Sequence, residues 1–221
     1  MNRIVLLMET GRAATLEAAS WFAAHGDRVY LGARTMPEQI PNGVQGLVFD
    51  PLCAESLEEA VKTVEAESGR LDIFVTGVPS HPKDGEIGTG HDDAEMLDTL
   101  MRNVYGSRIV IEAFLPLLRR GMKRIAAITE IESSNSWSTG RDDLAYHTSL
   151  AGLNMMGKIL FNHLRPEGFT FRWYCDDGVP GGMCAGDYIT SGLCYDEKEP
   201  YIHSDENRLT MRDAYLREIS W

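Results

Sequence analysis

The sequence predicts a single three-layer α/β domain built on a doubly wound parallel sheet, and three observations carry that expectation. Short apolar runs alternate with helix-period segments through most of the 221 residues. The apolar runs are continuous rather than alternating, as expected of strands covered on both faces. A glycine turn, Thr10-Gly11, joins the first apolar run to the first helical segment, and a strand-turn-helix-strand unit of this kind is where such sheets meet ligands.

Each element has its own justification. Ile4 to Met8 is the first strand, the Ala-rich run to His25 the first helix, and Val29 to Arg34 the second strand. Gly46 to Asp50 reads as a short strand, after which Ser56 is expected to cap a helix carrying Leu57, Ala60, Val61 and Val64. Leu71 to Thr76 is a buried parallel strand. Residues 79 to 91 are rich in Pro and Gly and read as a loop, and Asp92 or Asp93 then starts a helix with Met96, Leu97, Leu100 and Met101. A longer helix is expected from Asn103 to Arg120, a strand from Arg124 to Thr129, a long helix from Leu144 to Leu164 and a strand from Phe169 to Cys175. From Asp176 the pattern is broken by Gly178, Gly181, Gly182, Gly186 and Gly192, and the polar tail predicts at most short strands after Tyr195. The expectation is one domain over residues 1–221, with 176–221 an irregular substrate-loop and tail region.

Bulk properties narrow the function. The formal charge of −12, from 21 basic and 33 acidic residues, argues against nucleic acid and against anionic membranes. Cys53, Cys175, Cys184 and Cys194 form no C-x-x-C pair, and the chain opens on a strand rather than a signal peptide, so a reduced, cytoplasmic protein is expected. No apolar run approaches the ~20 residues of a membrane helix. His91-Asp92-Asp93 reads more simply as a helix cap than as a metal site, and no histidine pair has H-x-x-x-H spacing, so no metal is expected.

Several residues, taken in order, resemble the short-chain dehydrogenase/reductase family over about residues 3 to 180. Thr10-Gly11 is similar to the start of the family's T-G-x-x-x-G-x-G loop, and Asp50 stands where a family Asp contacts the adenine. Leu71 to Val75 resembles the strand leading to N-N-A-G, Asn103-Val104-Tyr105-Gly106 resembles N-V-x-G, and Tyr146 resembles the catalytic Tyr of Y-x-x-x-K. The resemblance implies a Rossmann-type sheet, an NAD- or NADP-linked oxidoreductase acting on a small carbonyl or alcohol, and catalytic roles for Asn103, Ser133 and Tyr146. Thr10, Gly11, Arg34 and Asp50 would hold the cofactor. Arg34 suits the extra phosphate of NADP, and it reads equally as a solvated surface residue. The family often builds homodimers or homotetramers on the two long helices, here rich in Met155, Met156, Ile159, Leu160 and Phe161.

The departures from the family pattern fall on the chemistry. Thr15 and Glu17 stand where the second and third loop glycines would lie, and a carboxylate there would repel cofactor phosphates. Thr76-Gly77-Val78-Pro79 replaces N-N-A-G, and Leu150 stands at the Lys position, where it can neither lower the tyrosine's pKa nor hold a ribose hydroxyl. Aligning the strand from Arg124 puts Glu130 at the catalytic Ser, whereas counting back from Tyr146 points to Ser133. Glu130 and Glu132, near Tyr146 and His147, offer a different acid/base set or ordinary solvated loop positions. Two function classes follow. One is the oxidoreductase; the other is a non-catalytic ligand-binding, scaffolding or regulatory relative. NAD or NADP binding is expected to be weak or absent, with little turnover by the usual Tyr–Lys route.

Overall fold

The computed structural model describes residues 2–8, 10–78, 88, 90, 92–176, 181–192 and 208–221. Among the described residues, eight strands form one sheet in the order β3-β2-β1-β4-β5-β6-β7-β8. Those strands are β1 (Ile4–Met8), β2 (Arg28–Ala33), β3 (Val44–Val48), β4 (Ile73–Thr76), β5 (Arg124–Glu130), β6 (Thr170–Asp176), β7 (Met211–Arg212) and β8 (Glu218–Ile219). Every pair is parallel except β7 with β8. The chain runs outward from β1 to β3, then crosses back to β4 on the other side of β1. That reversal places a crevice between the C-terminal ends of β1 and β4.

Two cores, one on each face, account for the continuous apolar strands. Leu6, Phe74, Ile125 and Trp173 point to a core filled from α2 (Ala54–Ser68), α4 (Ser107–Arg120) and α5 (Leu144–Leu164). Val5, Leu7, Ile73, Val75 and Tyr174 point to the opposite core, closed by α1 (Ala13–Ala24) and α6 (Ala185–Thr190). Alternate residues of one strand thus feed both layers, as the strand pleat requires. Every residue of β1 and of β4 is buried.

Local chemistry shifts some expected boundaries. Ser56 is not the cap of α2: the helix begins at Ala54 with Cys53 in the N-cap position. The Ser56 hydroxyl instead accepts the Asp50 N–H at 3.1 Å and donates to the Cys53 carbonyl at 3.1 Å, tying β3's exit to the helix. β3 spans Val44–Val48, two residues earlier than its apolar run indicates, because its register is set by pairing with β2. α3 (Asp93–Leu100) is capped by Asp92, whose carboxylate accepts the Ala94 and Glu95 N–H groups at 2.9 and 3.3 Å. It continues without a break through a π-helical stretch, Met101–Gly106, into α4, so Asn103 lies in the π turn rather than at a helix start. The region after Asp176 includes the short helix α6, whose Gly186 lies against the Trp21 ring; a Cβ there would come within 2.7 Å of it. In the described part of the tail, β7 and β8 add two-residue strands to the sheet edge.

Candidate active site

The four residues expected to hold a cofactor converge on one cleft. Thr10, Gly11, Arg34 and Asp50, with Met8, Ala33, Pro51, Leu52 and Arg102, line a volume of about 550 Å³ above the C-terminal ends of β1 and β2. Gly11 has φ +73, and a Cβ built on it would meet nothing within 4 Å, so the turn opens onto free space. The Thr10 and Thr15 hydroxyls share a buried hydrogen bond of 2.7 Å, which stitches this turn to α1. Thr10 also lies against Gly77 at the end of β4; a Cβ on Gly77 would come within 2.6 Å of the Thr10 methyl and 3.2 Å of the Ile128 carbonyl oxygen. The floor between β1, β4 and β5 therefore requires glycine there. Arg34 pairs with Asp50 at 3.4 Å across the far wall.

Glu17 is not in this cleft. Position 17 falls on the exposed side of α1 and lines a separate depression with Tyr174, Asp176, Met183 and Cys184. α1 begins at Ala13, directly after Arg12, so positions 15 and 17 belong to the helix rather than to a loop. The groove above Gly11 is open rather than filled by Glu17.

The opposite end of the crevice is occupied by a three-residue network. Tyr146, in the first turn of α5, is 1% exposed, and its hydroxyl donates to Glu130 Oε2 at 2.8 Å. Arg12 donates from Nη2 to the same hydroxyl and pairs through Nη1 with Glu130 Oε1. Its guanidinium carbon lies 5.6 Å from the Tyr146 ring centroid. Arg12 follows β1 and Glu130 ends β5, so this ion pair passes over the end of β4. Burial pushes the Tyr146 phenol up to about 12; the Arg12 charge acts in the opposite direction and Glu132 adds to the rise. Leu150, one turn further along α5, is fully buried in the core.

The three catalytic candidates are not all together. Asn103 is buried, and its Nδ2 donates to Ser149 Oγ at 2.8 Å, which in turn donates to the Tyr146 carbonyl at 2.7 Å. Asn103 thus braces the turn of α5 that carries Tyr146. The Thr76 hydroxyl donates to Ser107, which donates to the Asn103 carbonyl, so the end of β4 holds the π turn in place. Ser133 lies in a one-turn 3-10 helix past the end of β5, 2% exposed, with its hydroxyl 3.5 Å from Met211 Sδ. Of the two positions that the sequence counts leave open, Glu130 accepts a hydrogen bond from Tyr146, and the Ser133 hydroxyl lies against Met211. Arg12 is the residue that sequence reasoning missed. It stands next to Gly11 in the motif, but its reach to Glu130 is a tertiary fact.

Among the described residues, no three His, Cys, Asp or Glu side chains come together as a metal site, and no helix is long and apolar enough to cross a membrane.

A mostly parallel sheet of this order, with a cleft at the point where strand order reverses, defines a Rossmann-type α/β protein. The chain belongs to the short-chain dehydrogenase/reductase family: residues 12–172 match the family described as enoyl-(acyl carrier protein) reductase. The C-signal protein of Myxococcus xanthus is 39% identical over 79 residues, 35% of this chain and 48% of that one; the chain spans about half the length of this relative. Among solved structures, the carbonyl reductase Sniffer of D. melanogaster superposes with a TM-score of 0.78 at 18% identity, covering 100% of both chains. An NADH-dependent reductase responsible for alginate metabolism superposes with a TM-score of 0.67 at 15% identity, covering 79% of this chain and 76% of that one. At these identities the likeness to both structures is one of fold.

Proposed function

We propose that this protein is an NAD(P)-linked oxidoreductase of the short-chain type, acting on a small carbonyl or alcohol, with weak cofactor binding and slow turnover. The observation that carries this reading is the convergence of Thr10, Gly11, Arg34 and Asp50 on one open cleft beside the crevice that ends at Tyr146. The cleft fits the adenosine end of a dinucleotide: it has a carboxylate for a hydroxyl or amine, a cation in Arg34 for a phosphate, and a glycine turn that lets backbone approach. When bound, the nicotinamide supplies the hydride.

The chain's own residues supply binding and the proton. Tyr146 Oη is the donor to a carbonyl oxygen, and Asn103 positions it through Ser149. With a pKa near 12 the phenol stays protonated at neutral pH, so it acts as a weak acid rather than a ready base. Its proton is already shared with Glu130, which must release it before a substrate oxygen can take that place. Without a Lys at position 150, no ammonium on α5 stands one turn from the phenol. These features account for slow chemistry without removing it.

Exposed apolar residues of α3, the π-helical stretch and α5 favour a homodimer or homotetramer. Leu97, Tyr105, Met155 and Ile159 are 61%, 42%, 61% and 61% exposed on the α3–α4 and α5 surface, more apolar side chain than a solvated helix face needs.

The test is NADPH and NADH oxidation against a panel of small aldehydes and ketones, for the wild type and for Tyr146→Phe. Slow turnover that falls by at least about 100-fold in the variant is expected. Equal rates in the two proteins would reject Tyr146 as the proton donor.

A further inference from the structure

The Arg12–Glu130 pair lies across the place where the fold would admit a phosphate. We propose that it is a lock displaced by phosphate: a nucleotide phosphate arriving at the start of α1 replaces Glu130 as the partner of the Arg12 guanidinium, and the unpaired Glu130 carboxylate then turns out to water, which withdraws the acceptor from the Tyr146 hydroxyl. This rests on the nucleotide-binding reading of the cleft above.

Position, charge and burial each contribute. Arg12 adjoins Gly11, which lines the cleft, and is the N-cap residue of a 12-residue helix with no side-chain cap and no acidic residue in its first turn. No carboxylate of α1's first turn therefore competes for an incoming anion. A guanidinium presents the same two-pronged set of donors to a phosphate as to a carboxylate, so the exchange replaces like with like. A phosphate at the start of α1 also meets the first N–H groups of the helix, whereas the contacts of Glu130 there are to the Arg12 and Tyr146 side chains.

The pair is accessible enough to exchange. The Arg12 and Glu130 side chains are 23% and 14% exposed, so neither is sealed in a dry core from which release would strand a charge. Glu130 pairs in register with Asp176 at the open C-terminal edge of the sheet, and both are partly exposed. A freed carboxylate there meets water. While the lock is closed, Tyr146 donates to Glu130 and accepts from Arg12, so its proton is committed. Opening it couples phosphate binding to the availability of the acid.

Calorimetry with adenosine and ADP on the wild type, Glu130→Gln and Tyr146→Phe tests the lock directly. Glu130→Gln removes the competing charge, and ADP affinity is expected to rise about tenfold, the equivalent of one charge-assisted hydrogen bond no longer broken on binding. Adenosine affinity should not change, because adenosine has no phosphate to exchange. Tyr146→Phe keeps the ion pair and removes only the Arg12 bond to the hydroxyl, so ADP affinity should rise by less than it does for Glu130→Gln. Circular dichroism confirms the fold of each variant, and Glu130→Ser takes the place of the Gln variant should that one not fold. Equal ADP affinity in wild type and Glu130→Gln overturns the lock and leaves the nucleotide-binding reading standing; so does an equal gain for adenosine. If neither probe binds any of the proteins at millimolar concentration, the lock and the nucleotide-binding reading both fall.

Discussion

The two ends of the crevice are built from the same strand termini by different means. At the Gly11 end a positive-φ glycine, the exit of β2 and the Ser56-stapled turn after β3 leave about 550 Å³ open, walled on the far side by the Arg34–Asp50 pair. At the Tyr146 end the shape is made by side chains, with Arg12, Glu130 and Tyr146 in mutual contact. The difference shows which half of this architecture is free to change. Backbone features at strand ends are fixed by the sheet, and altering them disturbs the fold. At the Tyr146 end the contacts are between side chains, so substitutions there are expected to leave the strand register in place.

Leu150 gives the largest expected effect. A Lys restored at this position matches the family's Y-x-x-x-K spacing, and on sequence grounds Leu150→Lys with Glu17→Gly would be expected to improve cofactor binding. Leu150 is fully buried in the core, however, so the new ammonium would enter an apolar site. Leu150→Lys is expected to cost on the order of 3–5 kcal/mol, as an unpaired buried charge does. Urea unfolding measures it, and a loss below about 1 kcal/mol would mean that α5 can turn this position toward the crevice.

A smaller effect follows from Tyr146 itself. Its phenol is held protonated up to about 12 by burial, whereas an unfolded chain releases that proton near 10. Above pH 10 the unfolded state therefore binds fewer protons than the folded one, so stability falls with rising pH. The contribution is fully present below pH 10 and is lost between about pH 10 and 12, on the order of 2–3 kcal/mol. Tyr146→Phe should show a shallower decline over the same window. Identical slopes for the two proteins would mean that the phenol is neither buried nor held by its neighbours.

What was readable in the sequence divides along the same line. The sheet was legible because Ile4–Met8, Ile73–Thr76 and their neighbours are apolar on both faces, and a continuous run has one simple explanation in an alternating chain. Thr10, Gly11, Arg34 and Asp50 were legible because strand ends fix their positions, and the structure brings them to one cleft. Arg12 was not. Its contact with Glu130 joins residues 118 positions apart, and no periodicity encodes it. The π turn at Met101–Gly106 was hidden too, since its extra residue leaves the apolar pattern of a long helix nearly unchanged. The six-residue α6 lies between glycines, too short for helical spacing to stand out. Ser133 and Glu130 were three residues apart in the sequence count, and only the structure shows Glu130 at the Tyr146 hydroxyl and Ser133 in the 3-10 turn beyond it.

The most direct test of the contrast between the two ends is to bind the two ends of the ligand separately. Calorimetry with ADP and with NADPH on the wild type asks how much the nicotinamide half adds. The formed Gly11 cleft and the occupied Tyr146 end predict that NADPH binds within about tenfold of ADP, a difference of about 1.4 kcal/mol or less. NADPH binding at least about 1,000-fold tighter than ADP would contradict the account, because the reactive end would then be a formed site and not a filled one.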